Sequence, residues 1–275
     1  MSNSICTDLP IGIFDSGVGG LTVLKAIRTE LPNENLVYLG DTARLPYGTK
    51  SPLSIARYAT QAAAKLQEQG IKLLVVACNT ASAVALDALR EQMSPLTVIG
   101  VVEPGAEAAV TARPGGAHLV LATEATVRLG AYRRALEALD PAATVRESAC
   151  ELLVALAEEG WTDGRIASAI IERYLAEASD TAFRADTIIL GCTHFPLLKG
   201  AIRAIVPDDV LIIDSASTTA TVVAQALASR GLRGDQSEAG QLRFLATDGA
   251  TRFARVGGQF LGQPLLYSDV EIVDL

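Results

Sequence analysis

Short apolar runs alternate along the chain with longer segments whose apolar residues recur every three or four positions. The runs IGIF (11–14) and LVYLGD (36–41) have the length and composition of buried strands. Between them, Leu21, Leu24 and Ile27 share one face of a predicted helix. Strand, turn and helix in this order predict a mainly parallel sheet with helices on both faces.

The same alternation continues through the rest of the chain. Further strands are predicted in the stretches KLLVVA, TVIGVV, AHLVLA, ATVRESAC, TIIL, VLIID and LRFLAT. Further helices are predicted at about 53–69, 128–139, 164–178 and 217–229. The stretch GLRGDQSEAGQ (231–241) has the composition of an exposed loop. The predicted fold class is therefore α/β.

Two cysteines occupy matching positions in this pattern. Cys78 directly follows the apolar run in LLVVACNTASA, and Cys192 follows another run, after one glycine, in TIILGCTHF. Ligands of open α/β sheets lie beyond the carboxyl ends of the strands, so both thiols are expected at a ligand site. We expect Asn79 and Thr80 to offer capping side chains to the helix that follows Cys78.

The repeated cysteine stretch also bears on domain organisation. A chain of 275 residues is long enough for two modest cores, and the repeat predicts two related α/β lobes. We expect residues 10–100 and 213–275 to form the first lobe and residues 101–212 to form the second. If the two lobes face each other, the two thiols do so as well.

Charge and apolar content narrow the choice of partners. The chain has 31 acidic and 23 basic residues and a formal charge of −8, which repels nucleic acid and anionic membrane surfaces. No basic segment leads into an apolar one at the N-terminus, and no run of about 18 apolar residues is present, so a cytoplasmic location is expected. Four widely spaced cysteines suit reduced thiols better than a disulfide framework. An apolar fraction of 49% permits a homodimer interface but does not locate one.

Several kinds of chemistry fit the two thiols. Each is expected near the start of a helix, where backbone amides favour the thiolate and lower the pKa of a cysteine. Cys78 and Cys192 could act as acid and base on opposite faces of a carbon, form a redox pair, or bind a metal together with His194. Zinc sites and redox pairs favour a Cys-x-x-Cys motif, which the chain lacks. A single cysteine could be a small buried apolar residue, but a matched pair favours one of these functional roles.

Polar residues at other strand ends are weaker candidates. Asp15 and Ser16 in FDSG, and Asp41 and Tyr47 in GDTARLPYG, are by themselves typical turn or cap residues. Beside Cys78 they become candidates for orienting an amino acid or assisting a proton transfer. DSGVGG matches a phosphate-binding loop poorly, and none of the five lysines has a setting typical of pyridoxal phosphate chemistry. No cofactor and no metal is therefore expected.

Taken in order, these stretches resemble one family. IGIFDSGVGGLTVLKAI, YLGDTARLPYGTKS, VVACNTASA, VIGVVEPGA, ATEATVRLGAY, LGCTHFPLL and IIDSA are similar to motifs of the glutamate racemases. The resemblance covers residues 11 to about 216. It implies two pseudo-symmetric lobes with the active site in the cleft between them, and a cofactor-independent enzyme that supplies D-glutamate for peptidoglycan.

The resemblance also implies roles for single residues. Cys78 would remove the α-proton of D-glutamate while Cys192 protonates the opposite face, and the roles would be exchanged for L-glutamate. Asp15 would assist Cys78, His194 would assist Cys192, and Glu158 would support His194. The substrate-binding residues would be Ser16, Asp41, Tyr47, Gly48, Asn79, Thr80, Thr123, Thr126 and Thr193.

One stretch departs from the family pattern, and other functions stay open. ACELLVALAEEG has Glu151, Leu153 and Ala155 where the family usually has proline, phenylalanine and proline. An aspartate racemase, a non-catalytic amino-acid-binding protein and a thiol redox protein are the alternatives. Cys6 and Cys150 have no supporting neighbours in the sequence and are assigned no role.

Overall fold

A computed structural model of the chain describes residues 7–178, 183–234 and 238–275. In these ranges the strands are β1 (Ile11–Asp15), β2 (Leu36–Gly40), β3 (Leu73–Val76), β4 (Thr97–Gly100), β5 (Ala117–Ala122), β6 (Thr144–Ala149), β7 (Thr187–Gly191), β8 (Leu211–Asp214), β9 (Leu242–Ala246) and β10 (Val270–Ile272). They form two sheets, with the spatial orders β10-β9-β2-β1-β3-β4 and β6-β5-β7-β8.

Helices connect and cover the strands. They are α1 (Leu21–Glu30), α2 (Pro52–Glu68), α3 (Asn79–Gln92), α4 (Val102–Ala112), α5 (Glu124–Leu129), α6 (Ala131–Leu139), α7 (Glu151–Glu158), α8 (Gly164–Ala178), α9 (Lys199–Arg203), α10 (Ser215–Arg230) and α11 (Ala250–Leu261). Short 3₁₀ helices lie at Tyr47–Thr49, Phe195–Leu198 and Tyr267–Asp269. None of the helices in the described ranges is long and apolar enough to cross a membrane.

Both sheets are parallel, as predicted. Each strand pairing is parallel, from Ile11 opposite Leu36 in the first sheet to Leu190 opposite Asp214 in the second. Every residue of β1, β2 and β3 is buried, because helices cover both faces of the sheet. Burial on both faces explains why these strands are continuous apolar runs and do not alternate with polar residues. The predicted α/β class is confirmed.

The two sheets share one connectivity. The order β2-β1-β3-β4 in the first sheet has its counterpart in the order β6-β5-β7-β8 in the second. β3 and β7 therefore occupy equivalent positions, and Cys78 and Cys192 follow them. The predicted boundaries, with 101–212 as the second lobe, stay a prediction. The boundary at 213 falls inside β8, which pairs along its length with β7.

Two predicted details of the helices are wrong. The helix expected at about 128–139 is two helices, because Gly130 adopts the left-handed conformation (φ 59°) between α5 and α6. The cap of α3 is Cys78 itself, whose Sγ accepts a hydrogen bond from the Ala81 N–H at 3.4 Å. Asn79 and Thr80 are instead the first residues of that helix, which leaves their side chains free for other contacts.

Candidate active site

A cavity of about 70 Å³ lies at the carboxyl ends of β3, β5 and β7, between residues of the two sheets and their helices. The predicted site residues that line it are Ser16, Tyr47, Gly48, Cys78, Asn79, Thr80, Thr123, Cys192, Thr193 and His194. Pro46, Thr49, Glu151 and Val154 also line it, although none of them was predicted. The predicted residues Asp15, Asp41, Thr126 and Glu158 lie outside the lining. The equivalent positions of β3 and β7 thus bring both cysteines to one small cavity.

Cys78 is a buried thiol on the first-sheet side of this cavity. Its Sγ lies 3.5 Å from Ser16 Oγ and caps α3. Burial, together with the negative charge of Asp15, raises the pKa of Cys78 to about 12. The lowered pKa expected from the sequence is therefore wrong for Cys78, because loss of hydration outweighs the hydrogen bonds from Ser16 and the helix terminus.

Cys192 is the first residue of a hydrogen-bonded series that runs from the end of β7 to α7 and α11. Its Sγ lies 3.7 Å from His194 Nδ1, and His194 Nε2 lies 3.2 Å from Glu158 Oε1. Glu158 Oε2 accepts a hydrogen bond at 2.7 Å from Arg252, a residue of α11 that sequence reasoning missed. The ion pair of Arg252 with Glu158 joins the helix that follows β9 to the helix that follows β6.

This series sets the protonation of its members. Burial alone would lower the pKa of His194, but hydrogen bonds and charge from Cys192 and Glu158 raise it to about 10. The hydrogen bond to His194 is also the main reason why the pKa of Glu158 falls to about 2. His194 therefore carries a proton at neutral pH, within reach of Cys192.

Asp15 lies behind Cys78, at the end of β1. It is buried, and burial raises its pKa against the opposing effect of the His194 charge. Its Oδ2 accepts a hydrogen bond from the Gly17 N–H at 2.9 Å, so part of the carboxylate is used to hold the turn. Its negative charge raises the pKa of the Cys78 thiol, and the expected role of Asp15 in assisting Cys78 stays a prediction.

The glycine-rich loop DSGVGG allows the two sides of the site to approach closely. A Cβ atom on Gly19 would lie 2.4 Å from Thr193 Oγ1 and 2.5 Å from the His194 ring. Thr22, in the first turn of α1, also donates a hydrogen bond to the Thr193 carbonyl at 2.9 Å. The loop thus packs against the Cys192 segment, which explains its glycines without a bound phosphate.

Three threonine hydroxyls form a cluster at the cavity. Thr80 Oγ1 lies 3.1 Å from Thr123 Oγ1 and 3.3 Å from Thr126 Oγ1, and the last two are 3.1 Å apart. Thr126 is buried behind the other two. Hydroxyl groups in such a cluster can turn their protons towards a carboxylate. Among the described residues, no lysine or arginine lines the cavity, so these hydroxyls are the candidates to bind one.

Asn79 and Asp41 differ in how they relate to the cavity. Asn79 lines it, and its Oδ1 accepts a hydrogen bond from the Tyr132 hydroxyl at 2.7 Å. Asp41, predicted to bind substrate, is instead buried away from the lining. Its carboxylate accepts from Tyr47 Oη at 2.5 Å, from Arg44 Nε at 2.7 Å and from the Thr247 hydroxyl. Asp41 therefore holds Tyr47 in the cavity wall and does not face the cavity.

The departure at Glu151 has a local structural role. Glu151 Oε1 accepts a hydrogen bond at 2.5 Å from the Glu124 N–H in the first turn of α5. The residue before that helix, Thr123, does not cap it with its own side chain, because its hydroxyl belongs to the threonine cluster. A carboxylate from α7 thus replaces the missing local cap.

The remaining candidates lie elsewhere or outside the description. Cys150 is fully buried before α7, away from the lining, and burial raises its pKa to about 12. His118 is buried at the opposite end of β5, where its Nδ1 lies 2.8 Å from the Thr187 hydroxyl. Cys6 falls outside the described residues. No group of three His, Cys, Asp or Glu side chains within residues 7–178, 183–234 and 238–275 is arranged to hold a metal ion.

Comparisons with known proteins identify the family. The family model described as Asp/Glu/hydantoin racemase matches residues 12–223. A glutamate racemase of Geobacter metallireducens is 48% identical over 93% of this chain and 93% of its own length. The predicted resemblance to glutamate racemases is thereby confirmed over nearly the whole chain.

Solved structures support the same relationship. The glutamate racemase of Francisella tularensis in complex with D-glutamate superposes with a TM-score of 0.89 at 36% identity, covering 98% of both chains. The glutamate racemase of Thermus thermophilus in complex with β-chloro-D-alanine gives a TM-score of 0.87 at 43% identity, again over 98% of both chains. This chain therefore belongs to the Asp/Glu/hydantoin racemase family and is an amino-acid racemase.

Proposed function

We propose that this protein interconverts L-glutamate and D-glutamate by a two-base mechanism in which Cys78 and Cys192 act on opposite faces of the α-carbon. The single observation that carries the mechanism is the position of the two thiols, which follow equivalent strands and border one cavity. Near-full-length similarity to several glutamate racemases supports the choice of substrate. Neither a cofactor nor a metal takes part in the proposed steps.

In the proposed reaction, one cysteine removes a proton from the α-carbon and the other replaces it. The Cys78 thiolate takes the α-hydrogen of D-glutamate, and the electron pair of the broken Cα–H bond moves into the adjacent carboxylate. The Cys192 thiol then donates its proton to the opposite face, which leaves a thiol at Cys78 and a thiolate at Cys192. The reverse sequence converts L-glutamate, and exchange with solvent resets the two groups.

The surroundings of the two thiols supply what the proton transfers need. The pKa of Cys78 is raised to about 12, so the substrate ammonium group is expected to help generate the thiolate when it binds. On the other side, protonated His194 is placed to exchange a proton with Cys192. Hydroxyl donors around the cavity would stabilise the negative charge that develops on the substrate carboxylate.

The deciding experiment follows the α-hydrogen directly. Proton NMR of L-glutamate and D-glutamate in deuterated buffer, without added cofactor, should show inversion and loss of the α-proton signal with the unmodified protein. Cys78→Ser and Cys192→Ser should each lower inversion by at least about 10³-fold, since each removes a reacting group. Cys150→Ser is the matched control, because it alters a buried thiol outside the cavity and should leave the rate unchanged.

Other outcomes would select the alternatives. If neither glutamate enantiomer loses its α-proton while aspartate does, the protein is an aspartate racemase. If no amino acid exchanges its α-proton but glutamate still binds, the chain is a binding protein on this scaffold. The supply of D-glutamate for peptidoglycan, which rests on the family resemblance, belongs to the same proposal, as do a cytoplasmic location and a homodimeric state.

A further inference from the structure

Tyr132 connects a helix beside the second sheet to a helix beside the first. It lies on α6, beside the second sheet, and its side chain is fully buried. Its hydroxyl donates a hydrogen bond at 2.7 Å to Oδ1 of Asn79, which is the first residue of α3 beside the first sheet. Tyr132 does not line the cavity, so it would act through Asn79.

Two glycines leave room for the Tyr132 ring. A Cβ atom on Gly191, at the end of β7, would lie 2.9 Å from Tyr132 Cε2, closer than carbon atoms approach without displacement. A Cβ atom on Gly105, in α4, would lie 3.3 Å from Cε1. Gly191, the glycine of the LGCTH stretch, therefore ends β7 and also leaves space for the Tyr132 ring.

Asn79 has an unused donor. Its Nδ2 is buried and has no hydrogen-bond partner among the residues that the structure describes. A buried amide donor without a partner costs about 1–3 kcal/mol, and such groups in native proteins usually bond to water, an ion or a ligand. Because Oδ1 and Nδ2 point to opposite sides of the amide carbon, the bond from Tyr132 to Oδ1 turns Nδ2 away from Tyr132.

We infer that Tyr132 is a positioning residue that fixes the Asn79 amide with its N–H donors towards a carboxylate of the substrate. The inference rests on the proposed glutamate racemase function. The opposite orientation of the amide would present Oδ1, an acceptor, to a carboxylate and would repel it. Burial raises the pKa of Tyr132 above its ordinary value, so the phenol keeps its proton and remains a donor across the physiological range.

The test compares four variants with the unmodified protein. Tyr132→Phe keeps the ring between Gly191 and Gly105 and removes only the hydroxyl. Asn79→Ala removes the amide, and the double variant combines the two changes. Thr187→Val is the structural control, since it removes another buried hydrogen bond, the one to His118, at the far end of β5 and β7. KM and kcat are measured for both enantiomers, together with Tm.

The expected result is a change in KM. Tyr132→Phe should raise KM for both enantiomers about five- to tenfold and leave kcat within about twofold, because the lost contact is made equally in the ground and transition states. The double variant should be no worse than Asn79→Ala within about twofold, since the two groups act as one unit. Thr187→Val should lower Tm without changing KM.

Either of two results would overturn the inference. KM of Tyr132→Phe could equal that of the unmodified protein, or the effects of Tyr132→Phe and Asn79→Ala could multiply in the double variant. A protein that does not act on glutamate at all would instead contradict the proposed function, and that outcome is visible in the unmodified protein alone. The two failures are therefore distinguishable.

Discussion

At the scale of single residues, the two cysteines of the site have different electrostatic surroundings. Cys78 is a buried thiol whose pKa is raised to about 12, with a buried carboxylate behind it. Cys192 instead lies beside an imidazolium, because the pKa of His194 is raised to about 10. The protein therefore places a buried negative charge beside Cys78 and a positive charge beside Cys192.

The pKa values of Glu158 and His194 predict how stability depends on pH. The pKa of His194 rises from 6.5 to about 10 on folding, so its contribution is complete below pH 6.5 and is lost as pH rises towards 10. The pKa of Glu158 falls from 4.5 to about 2, so its contribution is present above pH 4.5 and is lost as pH falls towards 2. The pair should stabilise the protein most between pH 4.5 and 6.5.

Glu158→Gln tests this directly. We expect the variant to lose about 1.5–3 kcal/mol of unfolding free energy near pH 6, and the difference should shrink towards pH 10. The pKa of His194 should fall, which NMR can follow because the chain has only two histidines. Glu159→Gln, a change at the exposed neighbouring residue, is the control. A constant difference between the two proteins from pH 6 to pH 10 would contradict the assignment.

At the scale of elements, the start of α5 depends on a side chain from α7. Glu151 accepts from the Glu124 N–H because the Thr123 hydroxyl is committed to the cavity. Glu151→Ala should therefore cost about 0.5–2 kcal/mol of unfolding free energy, the usual effect of losing a helix cap. Glu151→Gln keeps an acceptor oxygen and should cost much less. Denaturant unfolding of both variants measures the difference, and equal losses would show that the cap contributes nothing.

Periodicity predicted whole elements better than it predicted their ends. The helix at 164–178 agrees with α8, since a long amphipathic segment carries many apolar positions in register. The break at Gly130 depends on one residue in a left-handed conformation, which no apolar pattern records. Cys78 as a cap was missed for a similar reason, because sulfur is not among the usual capping groups.

The sequence motifs predicted most of the residues that line the cavity, but not how residues outside the lining are arranged. The motifs placed ten of the residues that line the cavity, but they could not separate Asp41, which faces Tyr47, from the lining itself. Tyr132 stands in the quoted stretch ATEATVRLGAY, yet its contact with Asn79 exists only when the two lobes meet. Arg252 lies in the last part of the chain, where the motifs add little, and only the packing of α11 shows its partner.

At the scale of the whole molecule, α11 connects the end of the chain to the Cys192 side of the site. The Phe260 ring meets the His194 ring edge-on, with centroids 5.0 Å apart, and Arg252 holds Glu158. Thr22 adds a hydrogen bond from α1 to the Thr193 carbonyl. The hydrogen-bonded series beside Cys192 thus depends on helices that pack against the other sheet.

Substitution of Arg252 tests whether its contact from α11 to Glu158 is needed to hold the Cys192 side of the site. The Arg252 side chain is 49% exposed, so solvent screens its ion pair with Glu158, and Arg252→Gln should cost only about 0.2–1 kcal/mol of stability. Loss of the contact should nevertheless loosen Glu158 and lower kcat/KM in both directions by about three- to tenfold, because small displacements of positioning groups slow a reaction.

Salt and a neighbouring residue separate this effect from a general loss of charge. Added salt weakens the ion pair in the unmodified protein, so the difference in kcat/KM between it and Arg252→Gln should narrow as ionic strength rises from about 0.05 to 1 M. Arg255→Gln removes the same charge from an exposed position one turn further along α11 and should leave kcat/KM unchanged. If both variants lose activity equally, net charge and not the contact with Glu158 is responsible. If only Arg252→Gln loses activity, and salt narrows the difference in kcat/KM, α11 holds the hydrogen-bonded series beside Cys192 in place through the ion pair of Arg252 with Glu158.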